Sequence, residues 1–282
     1  VKKIYYNGIP SARDYTEALS SKQFLELQAY SGKFLQENES ALKDYISRWV
    51  GDPLHQWSRQ WEYPFVYSNV SKKVEDNGNS LILDAGSGVT FFSFFLNAKF
   101  KSADVYCCDY DQKLSAVYDE INNRQDSKVN FTASDLRCLP YEKDQFDLIY
   151  CISVLEHTDN FESIIDEFYR VIKPGGELVV TFDVSLDGSR EIDIDKSINL
   201  LNALAKRFSL DGHILNNLDS RFLDSNNFTT LTARDINPRL LPWVGPSVLH
   251  RIKSYVKSGK FGSWPPPMTV FCISLTKSTD RE

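Results

Sequence analysis

Leu81-Ile82-Leu83-Asp84-Ala85-Gly86-Ser87-Gly88 is the stretch from which the rest of this chain can be read. An apolar run ends in an acid, and two glycines then flank a serine. The run Thr90 to Leu96, rich in phenylalanine, follows at once. This pattern predicts a buried strand, a tight turn and the start of a helix. Glycine lets a backbone come close to a ligand and take dihedrals that other residues avoid. The first turn of the helix would add unpaired N–H groups beside it.

Downstream of this turn the chain alternates. Strands are predicted at Leu81–Ala85, Asp104–Cys108, Val129–Thr132, Phe146–Ile152 and Glu177–Phe182. Helices are predicted between them at Thr90–Asn97, Gln112–Asn123 and Phe161–Val171, and Lys173-Pro174-Gly175-Gly176 stops the last of these. Such alternation implies an α/β fold, with a doubly wound, mainly parallel sheet and helices on both faces. A helix at Asp193–Phe208 and two last strands, Phe228–Ala233 and Thr269–Leu275, would complete seven strands. An insertion at about 234–267 lies between those last two strands, with Val248–Val256 as a short helix inside it. A loop that long is usually functional or has structure of its own.

Upstream, residues 1–74 read as a helical cap or lid, and 75–282 as the core domain. Helices are expected over Tyr15–Leu27 and Phe34–Trp49. Trp57 to Tyr67 is the densest aromatic stretch, in a chain where aromatics are 13% of residues. It reads as a segment packed on the domain, as a lid whose Arg59, Trp61 or Tyr63 touches a ligand, or as both. Lys72 to Ser80 is polar and looks like the entry to the core domain.

Composition narrows the function classes. With 282 residues and 42% hydrophobic content, the chain can bury a substantial core. A formal charge of −6 leans away from nucleic acid as a partner. No apolar run approaches bilayer length, and no signal peptide is visible. The five cysteines (107, 108, 138, 151, 272) form no Cys-x-x-Cys pair and read as free thiols of a reducing cytosol. The four histidines are scattered, so no metal site is expected.

Candidate ligand contacts fall at the carboxyl ends of the predicted strands, where open α/β sheets bind their ligands. The Gly-x-Gly of 86–88 is a weak signal by itself. A dinucleotide turn would carry a third glycine at position 91, which is Phe91 here, so that fingerprint fails. Asp109 ends the second strand, 21 residues beyond Gly88. A carboxylate there can accept from both hydroxyls of a ribose, although a surface turn acid would read the same way. Ser134-Asp135-Leu136 follows the third strand, where an acid could accept from an adenine amino group.

Taken together, these motifs resemble the class I methyltransferases that use S-adenosylmethionine (SAM), the seven-stranded Rossmann-like family. The resemblance runs from about Leu81 to Phe182. It includes Leu-Asp-Ala-Gly-Ser-Gly at 83–88, Cys-Asp-Tyr-Asp at 108–111 and Ala-Ser-Asp-Leu at 133–136. It continues through Phe-Asp-Leu-Ile-Tyr-Cys-Ile-Ser-Val-Leu-Glu-His at 146–157 and Val-Ile-Lys-Pro-Gly-Gly-Glu-Leu at 171–178. It implies that Asp84, Gly86, Ser87 and Gly88 line the methionine end of SAM. Asp109, with Tyr110 beside it, would hold the ribose, and Ser134, Asp135 and Leu136 would frame the adenine. Cys151 and Ile152 would lie beneath the transferring methyl; under the lid reading, Arg59 and Tyr63 would reach the cofactor from the cap. Many members carry a glycine where this chain has Thr90, which could cap the helix instead.

The expected reaction is in-line methyl transfer to an O or N atom of a small-molecule, biosynthetic acceptor. His157 is the best-placed base for an acceptor that must lose a proton, with a helix-entry structural role as its rival; His213 and His55 are weaker candidates. The competing classes are a SAM-binding partner or sensor without catalysis, a protein or nucleic-acid methyltransferase, and a nucleotide-dependent oxidoreductase.

Overall fold

The computed structural model describes residues 4–279 except 127, 191, 211–212, 244–247, 249–251, 253–254 and 257–262. Most of the Val248–Val256 segment therefore lies outside the described residues. Seven strands form one sheet: β1 (Ser80–Ala85), β2 (Ala103–Asp109), β3 (Asn130–Ala133), β4 (Phe146–Ile152), β5 (Ile172–Ser185), β6 (Ile192–Asp193) and β7 (Met268–Thr276). Their order is β3-β2-β1-β4-β5-β6, with β7 antiparallel on β5 and every other pair parallel. The doubly wound α/β sheet expected from the alternation is the one observed.

One detail of register positions the site. β7 covers Glu177–Ser185 along one edge of β5, while β4 covers the other edge only as far as Thr181. β6 pairs with Val184 and Ser185. It must therefore sit on the β4 side, just past the carboxyl end of β4.

The strands are buried on both faces because successive side chains point to opposite sides. Ile82, Leu148, Tyr150 and Val179 enter one core, and Leu83, Ile149, Cys151 and Val180 enter the other. The first core is closed by helices that precede the sheet in sequence: α1 (Ala12–Ala18), α2 (Lys22–Glu37), α3 (Glu39–Ile46) and α4 (Arg59–Asn77), together with α5 (Phe91–Lys99) and α6 (Leu114–Arg124). The second is closed by α7 (Phe161–Val171), α8 (Ile194–Arg207) and α9 (Leu218–Phe222). α10 (Thr230–Ile236) follows and contributes Ala233 to the first core.

Several boundaries differ from expectation, each for a local reason. The two expected N-terminal helices become three. Ser21 caps α2 by accepting from the Phe24 N–H, and Asn38 ends α2 and begins α3. The aromatic stretch at Trp57–Tyr67 is the first half of α4, buried on nearly every side from Gln60 to Tyr67. It lies on the sheet, touching β1, β4, β5 and β7. The polar residues from Lys72 are the last turns of the same helix, so the boundary expected near 74 falls inside α4 and one core runs across it. The strand expected at Phe228–Ala233 is a helix instead. Thr229 caps α10 by accepting from the Thr232 N–H, and the β-branched threonines that imitated a strand are cap and core residues. Thr230 Oγ1 donates to the Pro266 carbonyl at 2.6 Å, which ties α10 to the residues just before β7. β5 begins directly after α7 at Ile172, and a register shift between Phe146 and Leu148 absorbs the Lys-Pro-Gly-Gly turn.

Candidate functional site

The loops at the carboxyl ends of β1, β2, β3 and β4 open into one cavity of about 740 Å³. Its floor is the glycine turn. Gly86 has φ +78° and Gly88 φ +50°, in the left-handed region that favours glycine. A Cβ on Gly86 would lie 2.5 Å from a Val154 methyl, and one on Gly88 would lie 2.3 Å from the Tyr45 hydroxyl. The turn is therefore crowded by two different elements, and a side chain at either place would force a neighbour to move.

Three side chains brace the turn. Asp109 Oδ2 accepts from the Gly88 N–H at 3.0 Å and its Oδ1 from the Asp111 N–H at 3.1 Å. Tyr118 on α6 donates to the Gly88 carbonyl at 2.8 Å. Asp84 accepts a 2.5 Å bond from the Ser93 hydroxyl beneath the turn. Burial pushes the Asp84 carboxyl up to about 7; the Ser93 and Tyr150 hydroxyls pull against that, and Asp109 adds to it. Thr90 has ordinary extended dihedrals and accepts from the Phe92 N–H at 3.3 Å, so it caps α5 as expected and needs no glycine.

Most residues expected at the site converge here. Asp84, Gly86, Ser87, Gly88, Asp109, Tyr110, Asp135, Leu136, Arg59, Tyr63 and His157 all line the cavity. Asp135 is held by Arg137, whose Nη2 lies 2.5 Å from Oδ2. The Arg137 guanidinium and backbone N–H hold the Asp135 carboxyl down at about 2. With Nε and the backbone N–H, Arg137 makes four contacts to the two Asp135 oxygens, which fills the acceptor positions of a carboxylate. His157 stands exposed at the rim, in the short 3₁₀ turn after β4.

Trp61, fully buried in the first core, and two residues expected at the cofactor do not line the cavity. Ser134 turns away, its hydroxyl donating to the Asp135 and Cys138 carbonyls. Cys151 points into the second core while its neighbour Ile152 lines the cavity, as alternation along a strand requires. His55 is also outside the lining and pairs with Asp52 at 2.6 Å. His213 is likewise absent from it.

The structure adds contacts that local sequence could not reveal. Tyr45, in the last turn of α3, reaches over the glycine turn, and Trp49, Val50 and Pro53 follow it along the mouth. At the far wall, Arg59 and Ser153 share a buried polar knot with Glu62. Burial disfavours the Arg59 charge, but Glu62 and its other anionic neighbours outweigh that and raise its pKa. Beyond the knot, burial pushes Glu156 up to about 7 and Asp183 well above the usual carboxylate range.

Comparison with known proteins agrees with this geometry. Residues 83–180 match the family model described as a methyltransferase domain. Over that stretch the chain is similar to methyltransferase domains. The chain is 28% identical over 178 residues to the sterol 24-C-methyltransferase of Kluyveromyces lactis, covering 60% of this chain and 46% of that one. It is 25% identical over 183 residues to the methyltransferase GfsG of Streptomyces halstedii, covering 63% of each. Matches to the sterol methyltransferases thus span about half or less of those relatives' length. A candidate sarcosine dimethylglycine methyltransferase from Galdieria sulphuraria superposes with a TM-score of 0.51 at 15% identity, over 86% of this chain and 99% of that chain. This last likeness shows the shared fold. Among the described residues no helix is long and apolar enough to cross a membrane.

Proposed function

We propose that the cavity binds SAM and that the chain transfers its methyl group to a small-molecule acceptor. The observation that carries this reading is the convergence of the glycine turn with Asp109 and the Asp135–Leu136 pair, from three adjacent parallel strands, on one cavity.

The residues present suit the cofactor. The two glycines leave space that a Cβ would fill, so a ligand's amino-acid end can lie against the backbone. Asp109, already braced by two N–H donors, is placed to accept from ribose hydroxyls. Leu136 offers an apolar surface for a purine, with Asp135 beside it. Tyr45, Arg59 and Tyr63 approach from the helices that precede the sheet, in keeping with the lid reading of Arg59 and Tyr63. The aspartates lining the cavity, Asp84, Asp109, Asp111, Asp135 and Asp159, outnumber its two arginines, Arg59 and Arg137. That imbalance favours a cationic ligand. When bound, SAM supplies a methyl already activated on a sulfonium, so the protein's task is to orient the acceptor and exclude water.

A small-molecule acceptor with an apolar body suits the mouth of the cavity. Trp49, Val50 and Tyr110 line it and are 58%, 44% and 80% exposed. The naming of several relatives as sterol methyltransferases points the same way. His157 at the rim is the base this reading assigns where an acceptor must lose a proton.

Isothermal titration tests the cofactor. Folded protein should bind SAM and S-adenosylhomocysteine, and no heat at millimolar SAM would end the proposal. Turnover is tested by labelled methyl transfer to a panel of sterols and other apolar alcohols and amines, with peptides and oligonucleotides as rivals. Transfer only to a macromolecule would remove the small-molecule reading.

A further inference from the structure

The knot at the far wall contains a charge that the proposed function leaves unused. Glu62 lies on the first turn of α4 with its side chain 0% exposed. A carboxylate sealed from water is costly unless fully paired. Glu62 is well paired. It accepts from Arg59 Nη1 at 2.5 Å, from Ser153 Oγ at 2.8 Å and from Thr181 Oγ1 at 2.5 Å. Arg59 Nη1 also bonds Ser153 Oγ. One buried acid thus joins α4, the turn after β4 and the interior of β5.

Ser153 has φ +48°, a left-handed conformation that strains a non-glycine residue. Glycine would take this turn without strain but would bring no hydroxyl. The chain accepts the strain where the hydroxyl closes the knot. The Arg59 side chain is 22% exposed and lines the cavity, whereas Glu62 does not. Glu62 therefore cannot touch a ligand there. It can fix where the guanidinium points, and an arginine held in this way keeps further N–H donors for a planar anion.

We infer that Glu62 is a positioning residue: with Ser153 it holds the Arg59 guanidinium rigidly toward the cavity to receive a carboxylate. This rests on the reading that the cavity binds SAM. The carboxylate is that of the methionine end of SAM or one carried by the acceptor, and the two sources separate in the test.

The test uses the full chain with Glu62→Gln, Glu62→Asp and Ser153→Gly. Ser153→Gly relieves the strained turn, so it folds even if a Glu62 variant does not. Affinity is measured for S-adenosylhomocysteine and for 5′-methylthioadenosine, which keeps the adenosine and sulfur but lacks the amino-acid end. The expected result is a loss of about ten- to a hundredfold for S-adenosylhomocysteine in Glu62→Gln, with methylthioadenosine unchanged. Ser153→Gly shows a smaller loss with the same selectivity, and Glu62→Asp recovers part of the binding. Unchanged nucleoside affinities with a tenfold higher KM for an acidic acceptor, but not for its methyl ester, place the carboxylate on the acceptor and still support the inference. Equal weakening of both nucleosides, or no change in any of these quantities, overturns it. If the wild-type protein binds neither nucleoside, the SAM reading itself fails, and this inference fails with it.

Discussion

Gly86→Ala is the substitution whose consequence follows most directly from the geometry. The new methyl group would stand 2.5 Å and 2.9 Å from the two Val154 methyls and 3.2 Å from Val154 Cβ. Carbon atoms in contact prefer about 3.5–4.0 Å, so Val154 or the turn has to move. The backbone at φ +78° adds strain of about 1–2 kcal/mol for any L side chain. Overpacking adds about 1–3 kcal/mol. Together these predict a loss of about 2–5 kcal/mol of folding stability, a large part of the usual 5–15 kcal/mol. Urea denaturation of the wild type, Gly86→Ala, Val154→Ala and the double variant isolates the steric part. Val154→Ala removes the opposing methyls, so the double variant should regain about 1–3 kcal/mol relative to additivity, leaving the backbone strain. Gly88→Ala makes the contrast. Its Cβ would meet the far end of Tyr45, which can swing aside, so the backbone term alone should remain. A Gly86→Ala protein within 0.5 kcal/mol of wild type, or strict additivity with Val154→Ala, would refute the crowding argument.

Asp109→Ala should weaken SAM binding by about 1.5–3 kcal/mol in titration, because the ribose loses a charged acceptor and the Gly88 N–H loses its brace; unchanged affinity would remove Asp109 from the site. Thr90→Ala removes the α5 cap and should lower stability by about 0.5–1 kcal/mol, since its bond to Phe92 is long at 3.3 Å; an unmoved urea midpoint would deny the cap. The pH dependence is set by buried acids whose carboxyls are raised on folding, Asp84 and Glu156 to about 7 and Asp183 well above the usual carboxylate range. Between roughly pH 4 and 7 the folded chain keeps protons that the unfolded chain has lost. The stability contribution is therefore fully present below the unfolded values and is lost as pH rises through 7, by roughly 1.4 kcal/mol per pH unit for each such group. Urea midpoints of the ligand-free protein should fall from pH 5 to pH 7, and a flat or rising series would contradict the burial of these groups.

Much of the site was legible because its parts are short in sequence. Strand-ending acids and glycines announce themselves within a few residues, as Asp84–Gly88 and Asp109 do. Thr90 was legible for the same reason, since a cap bond spans two residues. Ser134 and Cys151 were misplaced by a single step along the chain. They lie at strand ends, where the last hydrogen bonds decide which side chain faces the cavity. Ile152 and Asp135, their neighbours, take lining positions. The strand expected at Phe228–Ala233 failed because threonine serves helix caps and strands equally well, and only the packing of α10 against β7 chose between them.

The sequence by itself determined six of the seven strands, all but β6, and the acids at the strand ends, because periodicity and turn chemistry act over a few residues. The tertiary structure decided what closes the site. Tyr45 reaches Gly88, and Glu62 joins Ser153 and Thr181, across 91 and 119 residues in the latter two cases. Such partners leave no local signal, because a buried carboxylate is specified by whatever the fold brings to it. The glycine turn that opened the reading is therefore only half of the site; the helices that precede the sheet supply the other half.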